Sequence, residues 1–206
     1  MDRSWGMAAR YDYMHAERKE KILRILIRTA VWIISFGAAV LLGWFLIKYS
    51  LMKTTVPDAS MEPNLTLGDE ILINTLSYRI SSPKRFDVIV FNQGDEEHSF
   101  YNIKRIIGLP GETVQISGGY VKINGELLTE PYNFDAIMLP GLANYEITLG
   151  EDEYFVLGDS RNNSEDSRYS TVGNVRRDEI IGKAWIRLNN FGFVSGFGKA
   201  SDEEEE

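Results

Sequence analysis

The chain has 206 residues, a formal net charge of −8 and a hydrophobic fraction of 44%, which suits one ordinary domain with a short appendage. It has no cysteine, so thiol nucleophiles, disulfide scaffolds and cysteine-zinc clusters are excluded. Its two histidines, His15 and His98, argue against a histidine-built metal site, and its acidic balance argues against nucleic acid as a partner.

Residues 1–21 are mixed in charge and show no sustained pattern, and residues 1–29 are expected to form the N-terminal segment before the span. From Ala30 to Ile47 the run AVWIISFGAAVLLGWFLI has no charged residue and, with its flanks, is long enough to cross a hydrocarbon core. A buried core helix would show a polar face, and here Ser35 stands alone. Residues 30–50 are therefore expected to form one transmembrane helix that places the lipid bilayer among the partners. Arg18, Lys19, Lys21, Arg24 and Arg28 precede the run, and only Lys48 and Lys53 follow closely. That bias predicts a cytoplasmic N-terminus and an extracytoplasmic remainder. A cleaved leader fits poorly, because no small-x-small cut site follows the run.

Residues 51–200 change character. ILIN, DVIVF, IKRIIG, TVQIS, YVKIN, YEITL, YFVLG and AWIRL are rich in β-branched and aromatic residues and predict strands. Gly118-Gly119 and Asn124-Gly125 have hairpin chemistry, and Pro110-Gly111 has the order of a type II turn. The expected fold is mainly antiparallel β, large enough to bury a core without metal or disulfide. SSPKRFD, residues 81 to 87, is expected to bend one strand into the next, and residues 131–145 to form a long surface excursion, either a plain connector or a substrate-contacting segment. The tail SDEEEE, residues 201–206, is a solvated acidic run.

Within PDASMEP, Ser60 raises the question of a nucleophile, and a serine hydroxyl needs a neighbouring base. His15 is predicted on the other side of the membrane, and His98 lies in the polar stretch GDEEHSF, which reads as a solvated loop tip. A lysine can serve if burial keeps it neutral. Lys104 lies in the isoleucine-rich run YNIKRIIG, where strand alternation sends Lys104 and Ile106 to one face and Ile103, Arg105 and Ile107 to the other. Two readings of it stand side by side: a neutral base, or an edge-strand lysine that discourages aggregation.

Three ordered segments, VPDASMEPNL, NIKRIIGLPGE and GDSRNNSEDSR, resemble the boxes of the bacterial type I signal peptidases, membrane-bound serine proteases that remove signal peptides from exported preproteins. NTLSYR and PKRFDVIVF fit the region between the first two boxes. The resemblance implies a β-sheet catalytic domain of the signal peptidase type behind one span, with no metal and no organic cofactor. It implies Ser60 as nucleophile, Lys104 as general base and Ser164 as the hydroxyl that orients the amine. Asp159 and Arg105 match a structural ion pair, and Asp166 and Arg168 match further supporting polar residues. Signal peptides with small residues one and three positions before the cut are the implied substrates, with the secretion translocon as a neighbour. The short stretch between span and Ser60, reaching at most roughly 40 Å when extended, keeps the site near the outer membrane face.

Two positions depart from the family pattern. Where some members have an oxyanion-binding serine two residues before the nucleophile, this chain has Asp58. A carboxylate there would repel a developing negative charge, so its side chain is expected to point away and leave the Ser60 N–H as the assignable donor. Asn64 stands where threonine is usual. Met61 and Leu65 are candidates for an apolar lip facing the membrane, with core packing as the alternative for Leu65. Competing functions are a self-cleaving Ser-Lys protein akin to the LexA-type repressors, a specialised peptidase for pilin or conjugation proteins, and a non-catalytic anchored β domain that binds partners. The membrane span and the lack of a DNA-binding segment count against the first.

Overall fold

A computed structural model describes residues 4–93, 100–131 and 133–194. The loop tip with His98 and the acidic tail lie outside the described residues. The chain divides into two units, a helix up to Tyr49 and a β unit from Ser50 onward.

The helix, α1 (Ser4–Ser50), starts well upstream of the apolar run. The stretch from Lys21 to Ser50 is long and apolar enough to cross a membrane. Trp32, Ile33, Ile34 and Phe36 each expose more than two thirds of their surface, an unusual exposure for large apolar side chains. A bilayer removes that mismatch.

The β unit contains, in chain order, β1 (Leu51–Thr55), β2 (Glu70–Asn74), the single-turn α2 (Ser77–Ile80), β3 (Val88–Gln93), β4 (Phe100–Gly108), β5 (Thr113–Ser117), β6 (Tyr120–Ile123) and β7 (Glu126–Leu127). A 3-10 turn (Gly141–Asn144), β8 (Ile147–Thr148), β9 (Glu153–Leu157), β10 (Val175–Arg176), β11 (Ile180–Arg187) and β12 (Gly192–Phe193) complete it. Every expected strand is present, and all pairings among the described residues are antiparallel. The larger sheet runs β1-β2-β11-β3-β4-β9-β10, with β12 on β11, and the smaller runs β7-β6-β5-β8.

The turns follow their residue chemistry. Gly118 and Gly119 have φ of 61° and 87°, and Asn124 and Gly125 have φ of 53° and 83°, the two consecutive positive values of a type I′ hairpin. Gly111, at φ 77°, sits at the third position of the Pro110-Gly111 turn, closed by Glu112 N–H donating to the Leu109 carbonyl.

Alternation places the core. In β2, Ile71 and Ile73 are fully buried while their neighbours are not, and they pack with Val56, Met61, Leu65, Val88, Val90, Ile103 and Ala184. Complete burial of each such aliphatic side chain contributes about 1.5–3 kcal/mol. Met61 and Leu65, 0% and 1% exposed, belong wholly to this cluster. Neither forms a lip. The residues that follow Ser60 thus anchor the candidate nucleophile to the main core.

β4 lies between β3 and β9, in the interior of the sheet. Lys104 pairs with Ile89 in the ladder and is 1% exposed, which overturns the edge-strand reading of this lysine. Among the described residues of the segment 131–145 there is no strand, yet the segment is tied down. Ile137 and Ala143 are buried, Ile137 N–H donates to the Gly119 carbonyl, and Leu142 N–H donates to the Arg168 carbonyl at 2.8 Å.

Candidate active site

Ser60 sits in the turn between β1 and β2, and Lys104 projects from the middle of β4. The fold brings them together: Lys104 Nζ lies 2.7 Å from Ser60 Oγ, and the two residues are 1% and 4% exposed. Burial in this apolar sheet pushes the Lys104 pKa below the ordinary lysine value, although the carboxylates of Asp58, Asp166 and Glu165 pull the other way. An amine that releases its proton more readily, within hydrogen-bonding reach of a hydroxyl, is the geometry of a general base and its nucleophile.

Strand alternation puts Arg105 on the face opposite Lys104. Its guanidinium grips Asp159 through Nε to Oδ1 at 2.7 Å and Nη2 to Oδ2 at 2.6 Å, and its Nη1 donates to the Phe86 carbonyl at 2.9 Å. Asn64 donates from Nδ2 to Asp159 Oδ2 at 2.7 Å. The departure at Asn64 is therefore a working contact that joins the segment after Ser60 to the loop after β9. No local sequence pattern marks this contact, because the link spans residues far apart in the chain.

The loop from Gly158 to Arg168 closes over Ser60. Ser160 N–H donates to the Ser60 carbonyl at 3.0 Å. Gly158 is required by this approach: a Cβ there would meet Ser164 Oγ at 2.2 Å, Ser164 Cβ at 2.5 Å and the Ser60 carbonyl oxygen at 2.6 Å. Asp166 and Arg168 brace the loop from within. Arg168 donates through Nε and Nη2 to the two Asp166 oxygens at 2.7 and 2.8 Å, and Gly158 N–H donates to Asp166 Oδ2 at 3.1 Å. Both are buried. The excursion 131–145 supports the same loop from outside, with Asn162 bonded to the backbone of Ala136 and Met138 and with Arg168 Nη1 reaching the Leu139 carbonyl. Arg161 pairs with Glu130 and stacks 3.8 Å from the Phe134 ring centre.

Ser164 lines the same cleft as Ser60, but its Oγ is buried with no hydrogen-bond partner. The bond to the lysine amine that the resemblance implies is not made in this state. An orphaned buried hydroxyl is costly and marks a group with an unmet role.

Asp58 corrects a second expectation. Its side chain points inward: Oδ1 accepts from Ser60 N–H at 2.9 Å, and Oδ2 lies 3.8 Å from Lys104 Nζ. An aspartate readily caps the N–H two residues on, and the nearby amine adds attraction, whereas the oxyanion that would repel it is absent at rest. Burial tends to raise the Asp58 pKa, but the bonds from Ser60 and the charge of Lys104 outweigh it and the net shift is downward. The Ser60 N–H is thus occupied.

A cleft of about 450 Å³ opens on Ser60, lined by Asp58, Ala59, Asn162, Asn163, Ser164, Glu165 and Tyr169. A neighbouring cleft of about 570 Å³ shares Asp58 and Glu165 and continues along Thr54, Thr55 and Pro57. Among the described residues, no cluster of three or more histidine or acidic side chains is arranged to hold a metal.

A sequence profile described as signal peptidase, peptidase S26, matches residues 29–189. A Synechocystis protein named "Probable signal peptidase I-2" is 41% identical over 155 residues, covering 73% of this chain and 67% of its own length. Signal peptidase I of Leptolyngbya laminosa is 38% identical over 163 residues, covering 75% of this chain and 76% of its own. Signal peptidase IB of Staphylococcus aureus is 28% identical over 172 residues, covering 76% and 87%. Among solved structures, a signal peptidase I from Enterococcus faecalis V583 is 33% identical and aligns with 50% of this chain and 97% of its own, with a TM-score of 0.39.

Proposed function

The chain belongs to the signal peptidase family, peptidase S26, and from that premise we propose that it is a membrane-anchored serine endopeptidase that cuts signal peptides from exported preproteins with a Ser60–Lys104 dyad. The observation that carries this reading is the buried 2.7 Å approach of Lys104 Nζ to Ser60 Oγ. Neutral Lys104 accepts the Ser60 hydroxyl proton as Oγ attacks the scissile carbonyl, and the resulting ammonium protonates the leaving amine. Water then attacks the acyl-enzyme ester, giving its proton to Lys104 and releasing Ser60. Every proton in this cycle passes through one amine, and no cofactor is required.

The supporting residues take distinct parts in this proposal. Ser164, whose hydroxyl is unpartnered at rest, accepts from an N–H of the lysine amine so that the nitrogen lone pair faces Ser60 Oγ during proton transfer. Arg105–Asp159 and Asp166–Arg168 fix the two walls that carry Lys104 and the loop over Ser60. β1 ends the larger sheet and leads into the Ser60 turn, so its free edge offers main-chain hydrogen bonds to an extended substrate while the adjoining clefts read side chains. The cluster of cations before the apolar span supports a cytoplasmic N-terminus and a β unit on the opposite face of the bilayer, and an activity on exported preproteins would place the translocon as a neighbour. The test is cleavage of a purified preprotein by the detergent-solubilised chain. Wild type releases the mature protein and Ser60→Ala does not; equal cleavage by both, or none by either across several preproteins, favours a non-catalytic binding domain.

A further inference from the structure

Asp58 is one of the two positions where this chain departs from the family pattern, and its carboxylate occupies the Ser60 N–H that would receive the reaction's negative charge. Resting on the Ser60–Lys104 reading, we propose that Asp58 is an internal stand-in for the oxyanion, a positioning residue that keeps the substrate-free dyad closed and must leave the Ser60 N–H before a scissile carbonyl can bind.

Three independent features carry this. Oδ1 takes the Ser60 N–H at 2.9 Å, the backbone donor that a tetrahedral intermediate on Ser60 needs. Oδ2 stands 3.8 Å from Lys104 Nζ, where a carboxylate holds a proton on the amine that must lose one. The side chain is 49% exposed and borders both clefts, so it has open space into which to rotate. The first two oppose catalysis and the third makes them reversible. The other carboxylates that face Lys104, Glu165 and Asp166, lie on the loop after β9, and Asp166 is already held by Arg168. Asp58 is the one of the three that touches the donor.

The device is a competition. A neutral substrate carbonyl competes poorly with a carboxylate for one N–H, so only the fraction of enzyme with Asp58 swung out binds productively, and apparent affinity falls by that fraction. A half-exposed side chain is displaced at modest cost, so the closed state slows the enzyme rather than silencing it.

The experiment compares full-length wild type, Asp58→Asn, Asp58→Ala and the remote surface control Asp178→Asn in detergent. Cleavage of a preprotein is followed, and the titration of Lys104 is read separately by competitive acylation and mass spectrometry. The proposal expects kcat/KM to rise about tenfold in Asp58→Ala, and less in Asp58→Asn, whose amide oxygen still accepts from Ser60, with unchanged melting temperature. It also expects Lys104 to titrate at lower pH in both, and Asp178→Asn to match wild type. A fall or no change in kcat/KM for Asp58→Ala, or an unmoved Lys104 titration, overturns it. Were wild-type cleavage independent of Ser60, the peptidase reading would fail on its own, and the Lys104 titration would still decide whether Asp58 governs the amine.

Discussion

Arg105 and Asp159 form a doubly bonded ion pair, at 2.7 and 2.6 Å, one residue along the strand from Lys104. Both are buried, so neither charge is shielded by water. Removing one partner strands the other. Asp159→Ala is expected to cost about 3–5 kcal/mol, whereas Asn64→Ala, which removes one hydrogen bond to the same carboxylate, costs about 1.5 kcal/mol. Thermal melts of the full chain in detergent measure the difference, and equal losses would contradict the assignment.

Lys104→Met is expected to lower kcat by at least about a hundredfold, the smallest factor usual for a general base. KM should change far less, because the amine meets the serine rather than the body of the substrate. Steady-state kinetics on a preprotein separates the two parameters.

The pH dependence has a definite sign. Lys104 titrates below the ordinary lysine value in the folded chain, so between those two values the unfolded state holds a proton that the folded state lacks. Stability contributed by this residue therefore rises with pH across that window, and its burial penalty is complete below it. Activity should climb with pH as the amine becomes neutral, with the rising limb lying below the ordinary lysine range. Lys104→Met should melt at a higher temperature than wild type below the window, an advantage that shrinks as pH increases through it.

Gly158→Ala should impair catalysis more than folding. The added methyl must push back Ser164 or the Ser60 carbonyl, and a displacement of about an ångström at a reacting group costs about a hundredfold in rate. The check is kcat together with the melting temperature. A variant that cleaves normally would show that the loop and Ser60 are not tightly coupled.

Ser164→Ala should leave the melting temperature unchanged or raised, since the hydroxyl it removes is buried without a partner. A role in holding the amine predicts a drop in kcat of about tenfold, the factor carried by one net hydrogen bond of about 1.4 kcal/mol. An unchanged kcat would leave the hydroxyl without a function.

The eight expected strands were legible because each is a short run rich in β-branched and aromatic residues: burial alternates along β2, β5 and β6, whereas β3, β4 and β9 are buried almost continuously in the sheet interior. β1 was not, since LMKTT lies at the sheet edge and buries none of its residues fully. The two-residue strands β7, β10 and β12 depend on neighbours supplied from elsewhere in the chain, which no local pattern records. In the site, the proximity of Ser60 and Lys104 followed from ordered boxes, but the inward turn of Asp58 did not. Its orientation is set by charges present at rest, an amide hydrogen and an amine, and reasoning from the reaction's charge alone gives the opposite answer.

β4 presents its two cations at consecutive positions, and the pleat sends them to opposite sides. Sliding this strand by one residue against β3 in one direction would put the Arg105 guanidinium at the serine and Ile106 at the aspartate, and in the other direction Ile103 at the serine and the Lys104 amine at the aspartate. A guanidinium keeps its proton at any physiological acidity, an isoleucine has none to exchange, and an amine lacks the fork that fills both carboxylate oxygens. A mispaired sheet would therefore be inert rather than sluggish. The order lysine then arginine carries chemical information that neither side chain holds alone.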